Sequence, residues 1–454
     1  MTISAPIFST LTLSLILKFA APPSSPPPAP RPRPLLAAAE VTAINLGVWA
    51  FLQYPGDQFY TYVSWDTIRD NIRYGLRWDN SRYDINFLHH PYHGALYFSA
   101  GRASGLGFWG STLAALGGSL QWEFVWENVG PSINDLITTT FGGGAYGEIC
   151  YRLSALVRKK DPRWLERAWR EGVGAILDPV GAANRLLNGR KDDDPSLPGG
   201  PDYGRVLDGQ FFLAGPAVLR SSELAGTSTV PVLGFVLRYG GAAGTGWAGW
   251  PFDVFSVDAR LRPGPDGLHL SLDAGGALFG KTLAARNGGT GFMGVYQHHD
   301  FYGIDTLRLS ATSFTGGWTS CFAAGPDLRL TASARLGWLA LGASDDFAAA
   351  PDDRKNYNLS MGLAAAAELT FAAKGYEYAS ASWRHYRLFN LDVLSSRAGR
   401  EAWNIVQGRV SVPVWQGLGL GFEAEYCGRA FDFRDHPSGS RRLFEGRVFT
   451  TWQF

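Results

Sequence analysis

From about residue 206 onward, apolar residues occupy every second position and polar residues the positions between. Successive side chains of a strand point to opposite faces, so this period of two predicts sheet with one apolar and one polar face. In the last segment Phe444, Val448, Trp452 and Phe454 share one parity, opposite Glu445, Arg447, Thr451 and Gln453. Leu418, Leu420, Phe422, Ala424 and Tyr426 oppose Gly419, Gly421, Glu423, Glu425 and Cys427, and Val406, Val410, Val412 and Val414 oppose Gln407, Arg409 and Ser411. Leu328, Leu330, Leu336 and Trp338 oppose Asp327, Arg329, Thr331 and Arg335. Leu359, Met361, Leu363, Leu369 and Phe371 oppose Asn358, Ser360, Glu368 and Thr370. Further strands are predicted over 206–219, 230–239, 252–261, 268–279, 290–300, 305–314 and 376–388. The total is roughly 12, an even number as bacterial barrels require. Turn signals at 263–267, 287–289, 344–346 and 437–439 separate them. Longer connections near 240–250, 343–357 and 391–401 are expected to be the extracellular loops. A soluble β-sandwich also alternates, but Glu423, Glu425 and Arg429 opposite an unbroken apolar row fit a wet lumen behind a lipid-facing wall. The expected fold class is a membrane all-β barrel of about 12 antiparallel strands with an N-terminal α-helical domain or plug.

Between about 89 and 157 the alternation stops, and apolar residues run with Gly, Ala and Ser in helix-like stretches. Residues 103–122 carry no formal charge, yet Gly105, Gly107, Gly110, Gly117 and Gly118 make a poor isolated helix. Small residues let helices approach closely. A tightly packed helical pair, buried against or within the barrel, is therefore expected. A second helix is predicted from Ser132: the run Ser132-Ile133-Asn134-Asp135 places a hydroxyl and a carboxylate where they satisfy the first unpaired backbone N–H groups. Gly142, Gly143 and Gly144 either break that helix or pack it closely, and Gly143 with Gly147 has GxxxG spacing. Residues 158–171 mix Trp164 and Trp169 with cations, as a solvated or membrane-surface helix would.

Residues 7–21 have the length and apolarity of a signal-peptide core, although Lys18 lies inside it and no Lys or Arg precedes it. The proline-rich run that follows forbids helix. The expected organisation is a signal peptide over 1–21, a disordered linker over 22–40, a helical domain over 41–190 and a barrel over 205–454. Composition agrees with a membrane wall: 56 Gly, 16 Trp, 18 Tyr and 28 Phe accompany only 18% charged residues. With 41 Lys+Arg against 40 Asp+Glu, the net charge of +1 offers no field for nucleic acid. Cys150, Cys321 and Cys427 form no CxxC, so neither zinc ribbon nor redox pair is indicated.

The final strand, ending on Trp452 and Phe454, resembles the C-terminal sorting signal by which outer-membrane barrels are addressed to their insertion machinery. A second resemblance rests on Trp78-Asp79, Asn86, His90-Pro91-Tyr92-His93-Gly94, Arg102, Trp122-Glu123, Glu127, Pro131-Ser132, Asn134-Asp135, Gly142-Gly143, Gly147-Glu148 and Arg152, with Asp178-Pro179 and Asn184-Arg185-Leu186 beyond. This pattern resembles number 3943 in the series of domains of unknown function, a family of Gram-negative envelope proteins. The resemblance is detailed over roughly residues 60–190. It implies an outer-membrane location and a fold, and no reaction.

Glu123 and Glu127 stand four apart, on one face of a helix, where paired carboxylates can act as acid and base or bind a cation. The bland alternative, which is preferred, is that they neutralise Arg102 or Arg152. His89, His90 and His93 cluster nearby, with Asn134, Asp135 and Glu148 as possible further ligands. Without a fixed third ligand no metal or cofactor is assigned. His298, His299 and His385 fall in strands, and Ser380 and Ser382 lie near His385, as in a hydrolase dyad at the lipid boundary. No G-x-S-x-G elbow, phosphate loop or dinucleotide fingerprint is present. The first expectation is a non-enzymatic envelope protein whose helical domain plugs, caps or docks to the barrel. The alternatives are a lipid- or lipopolysaccharide-modifying enzyme using Glu123, Glu127, His90 or His93, and a small-solute channel. Expected partners are outer-membrane lipids and the barrel-insertion machinery, with any periplasmic partner unknown.

Overall fold

The computed structural model describes residues 31–454 except 80, 159–163, 188–206, 223–229, 265–266, 285–288, 305–306, 326, 347–356 and 394–396. The expected signal peptide and most of the proline-rich linker lie outside the described residues. Thirteen strand segments form one antiparallel sheet: β1 Leu207–Ala214, β2 Leu219–Ser222, β3 Val232–Tyr239, β4 Phe255–Gly264, β5 Gly267–Ala284, β6 Thr290–Ile304 and β7 Leu307–Ala324, then β8 Leu328–Asp345, β9 Tyr357–Ala373, β10 Tyr376–Asn390, β11 Gly399–Trp415, β12 Leu418–Phe433 and β13 His436–Gln453. Each pairs with its neighbour, except that β1 and β2 both lie along β13. They act as one strand interrupted at 215–218, so the sheet closes as a 12-stranded barrel. Several strands outrun the alternating stretches: β5 runs on to Ala284, β6 to Ile304, β7 to Ala324 and β8 to Asp345.

The predicted parity decides which face is which. Outside, Leu213, Leu233, Leu336, Leu363, Val410, Val412, Leu420 and Val448 are exposed, an apolar belt of the kind a transmembrane wall presents. Inside, side chains meet across non-neighbouring strands. Arg260 of β4 donates to Glu423 Oε1 at 3.2 Å and Glu425 Oε2 at 3.3 Å on β12, and to Gln407 on β11. Arg238 of β3 reaches Glu368 of β9 at 2.5 Å and Glu377 of β10 at 2.9 Å, and Arg384 of β10 pairs with Asp273 of β5. Further along, Tyr302, Leu309, Leu339, Leu388, Trp403 and Leu443 form a buried apolar layer in the lumen. Gaps between these groups hold about 170 Å³ near Arg238 and Phe454, and about 40, 20 and 10 Å³ elsewhere. Among the described residues, the wall's own side chains cross the lumen at several levels.

The helices are α1 Pro34–Gln53, α2 Trp65–Tyr74, α3 His90–Ala103, α4 Phe108–Gln121, α5 Ile133–Ile137, α6 Gly143–Val157, α7 Trp164–Leu177 and α8 Pro179–Leu187. Because α1 begins at Pro34, it takes the last residues assigned to the linker. Gly142–Gly144 do not break the second helix: a π turn, Thr138–Gly142, joins α5 to α6. Glycine is required there. A Cβ on Gly94 of α3 would collide with the Thr139 carbonyl, and one on Gly143 would meet the Gly94 backbone. α3 and α6 thus cross with their backbones in contact.

These helices pack on the outside of the wall, so the plug expectation is corrected and the alternative of packing against the barrel holds. Their core includes Tyr97, Phe98, Phe108, Ala145 and Ile149 together with Leu237, Tyr239, Phe255, Val257 and Ala259, which point outward on β3 and β4. Tyr83 and Phe87 pack on Phe301, Leu341, Tyr357 and Leu359 of β6, β8 and β9. Running from Tyr239 at the Phe454 end to Tyr357 at the opposite end, the contact crosses the full wall. One loop assignment is also corrected. The β3–β4 connection, 240–254, lies at the Phe454 end, because Tyr239 pairs with Leu207 where β1 begins; the connections after Asp345 and Asn390 lie at the other end.

Gly94→Val should overpack the α3–α6 crossing by about 1–3 kcal/mol or more. Limited proteolysis is expected to cut the helical region of this variant faster, while the barrel keeps its heat-dependent gel migration. Unchanged proteolysis would contradict the close crossing.

Candidate functional site

Two ionic clusters lie in the helical domain, one at each end. Near the Phe454 end, Arg102 of α3 approaches Glu148 of α6 at 3.1 Å, and Arg152, one turn on, donates to Glu148 Oε1 at 2.7 Å. Arg152 also reaches Asp253 Oδ1 at 3.2 Å and the Pro251 carbonyl at 2.9 Å, both in the β3–β4 connection. All four charged side chains are buried, two cations against two anions, and the chain ties helices to barrel. The expectation that Glu123 or Glu127 neutralises these arginines is thereby corrected. Glu148 and Asp253 do so. No sequence signal pairs Arg152 with Asp253, which lies 101 residues away.

At the opposite end, the segment after α4 gathers the acidic residues. Trp122–Trp126 is a π turn and Glu127 is extended, so the two glutamates do not share one regular helical face. Asn71 of α2 holds this turn by donating to the Glu123 and Glu127 carbonyls. Glu123 Oε2 accepts the Ser132 backbone N–H at 2.7 Å, while Ser132 Oγ caps α5 by accepting from Asp135 N–H at 3.2 Å, as its spacing predicts. Asn134 donates to Asp135 Oδ1 and accepts the Asp79 N–H. The other Asp135 oxygen faces His90 Nε2 at 3.9 Å, too far for a hydrogen bond. Glu127 accepts the Trp122 indole N–H at 2.6 Å. Among the described residues, no Lys or Arg lies within ion-pair distance of Glu123, Glu127 or Asp135.

Residues 75–180 match a family model described as a domain of unknown function. This segment is a DUF3943 domain. Both ionic clusters use its residues, with Asp253, the Pro251 carbonyl and Asn71 supplied from outside it. Among solved structures the chain is similar to the NanC porin, at 10% identity over 55% of this chain and 100% of that one, with TM-score 0.26. It is similar to the outer membrane channel DcaP of Acinetobacter baumannii, at 11% identity over 55% and 97%, TM-score 0.22. The CymD monoaromatic hydrocarbon channel gives 8% identity over 55% and 88%, TM-score 0.20. No curated protein matches.

The remaining motif residues of the DUF3943 domain serve its packing. Pro91 opens α3 and lies against Gly142, with the His299 ring beside it. His93 packs between Tyr97 and Trp122. Trp452 and Phe454 stack on Phe211 of β1, at the closing seam. The proposed serine–histidine pair does not form. Arg384 and Tyr386 face the lumen, so Ser380 and Ser382 share that face while His385 points outward to Asn404. His298 faces the lumen and His299 the DUF3943 domain. The sequence reading missed Asp79 and Asn86 as members of the acidic site.

Arg152→Met should leave Glu148 and Asp253 buried with a partner lost, a cost of about 3–5 kcal/mol. A fall in thermal midpoint in detergent is expected, with partial recovery in Arg152→Met/Asp253→Asn. Equal midpoints for wild type and the single variant would remove the anchoring role.

Proposed function

We propose that this protein is a Gram-negative outer-membrane protein in which a closed, non-conducting barrel anchors the DUF3943 domain within the bilayer. The side chains that cross the lumen carry this reading. A conducting barrel needs a continuous wet path. Here arginines span the lumen to carboxylates on distant strands, and an apolar layer around Trp403 and Leu388 crosses it further along. A small-solute channel is therefore disfavoured.

Placement of the helices in the bilayer is supported by their outward face. α1 is long and apolar enough to cross a membrane. It exposes Leu35, Ala38, Ala39, Thr42, Ala43, Leu46 and Phe51, and its single charged residue, Glu40, turns in to Ser104. α4 exposes Leu113, Gly117 and Leu120. Trp109 of α4 stacks on Phe279 of β5, both half exposed, which makes the helical surface continuous with the barrel's apolar belt. Outer-membrane lipids then cover both, and Trp452 and Phe454 address the chain to the insertion machinery.

In liposome-swelling and planar-bilayer measurements the wild-type chain should pass no sugar and show no steady conductance. Combined Arg384→Ala, Trp403→Ala and Leu388→Ala should raise conductance at least tenfold. Porin-like flux through the wild type would defeat the scaffold reading, as would recovery of the chain in a soluble fraction.

A further inference from the structure

We propose that His90, Glu123 and Asp135 form a binding site for one divalent transition-metal ion of the Zn²⁺ class, at the end of the DUF3943 domain opposite Phe454. One ligand atom from each lies within 4.8 Å of the others. Ligands held at about 2.0–2.1 Å around a tetrahedral Zn²⁺ lie about 3.3 Å apart, so side-chain shifts of about 1.5 Å or less close the site. One imidazole nitrogen with two carboxylate oxygens suits this class of ion.

The hydrogen bonds already made leave the right atoms over. Glu123 spends Oε2 on Ser132 N–H and Asp135 spends Oδ1 on Asn134, while Glu123 Oε1 and Asp135 Oδ2 accept no hydrogen bond among the described residues. The backbone fixes both carboxylates through the α5 cap and the Asn71 clamp, so the ligands are preorganised. A second, independent observation points to the same place. Asn86, fully buried, donates through Nδ2 to Asp79 and Tyr357 and leaves Oδ1 without a partner among the described residues, and Asp79 ties it to the cluster by donating its N–H to Asn134, which holds Asp135. A buried amide oxygen without a donor is costly, and a cation bound beside it would offset that cost. Charge leads to the same conclusion. Glu123 and Asp135 stand with Glu127 and Asp79 nearby, and no Lys or Arg among the described residues pairs with the first three. The other ionic cluster, by contrast, is balanced within itself. His90 is the least buried of the three ligands and provides the way in.

The test uses the full chain in detergent, stripped with chelator and titrated with Zn²⁺, with bound metal counted by mass spectrometry after desalting. About one Zn²⁺ per chain is expected, with Kd at least tenfold weaker in His90→Ala, Glu123→Gln and Asp135→Asn and unchanged in the lumen variant Glu377→Gln. Heat-dependent migration and protease resistance report whether each variant has folded. In the wild type alone, Zn²⁺ should slow proteolysis of the helical region, which tests the site even if a variant misfolds. Substoichiometric binding, equal affinity in folded ligand variants, or no protection of the wild type would each overturn the site. None of these readouts depends on whether the barrel conducts.

Discussion

A sheet in hydrocarbon cannot leave an edge, because nothing there can satisfy its unpaired N–H and C=O groups. The fold meets this demand where β1 returns to β13. Gly209 and Phe454 exchange backbone hydrogen bonds at 3.2 and 3.0 Å, and the Phe454 ring lies where a side chain on residue 209 would stand. Even the interruption after Ala214 keeps the seam shut: Gly215 and Val218 donate to Val448 and Gly446. The interior then follows from closure. A narrow barrel brings distant strands within side-chain reach, and the arginines and carboxylates that fill it are buried only because each finds a partner.

The DUF3943 domain is subject to the same accounting on the outer face of the wall. Its crossing helices approach closely because Gly94 and Gly143 leave room, and that approach brings Arg102 of α3 onto Glu148 of α6. Arg152 extends the same chain into the barrel through Asp253, so one ionic thread joins the two halves. At the other end the domain concentrates negative charge behind a helix cap, and its protein partners there are neutral donors. The two ends have opposite chemistry: one completes itself, the other is open to a cation.

The barrel was legible from sequence because alternation is local and repeats in every strand. Phe444 and Val448 face out, and Glu445 and Arg447 face in, as their parity predicts. Ser132 was legible for a similar reason, since a cap acts within four residues. The pairing of Arg152 with Asp253 was not, because it depends on how the helices seat on β3–β5. The side of the wall that the helices occupy was also hidden. Leu237, Tyr239 and Val257 have the same parity as lipid-facing residues, and burial under helices demands the same apolarity. The polar outward residues were the clue that sequence could not interpret. His385 and Ser382 looked like a pair by proximity in the chain, yet an odd separation puts them on opposite faces.

Those outward polar residues bear on how the molecule is built. Gln297 donates to the Phe141 carbonyl at 2.6 Å, and His299 sits between Thr312 at 2.8 Å and the Phe87 carbonyl at 3.0 Å. They lie on the outer surface of β6 and β7, and two of these bonds end on backbone of the DUF3943 domain. Stripped of the helices, this strip of wall would meet lipid with unpaired donors, each costing several kcal/mol. The wall and its helices therefore complete one another: this strip of β6 and β7 has its polar groups satisfied only with the helices in place.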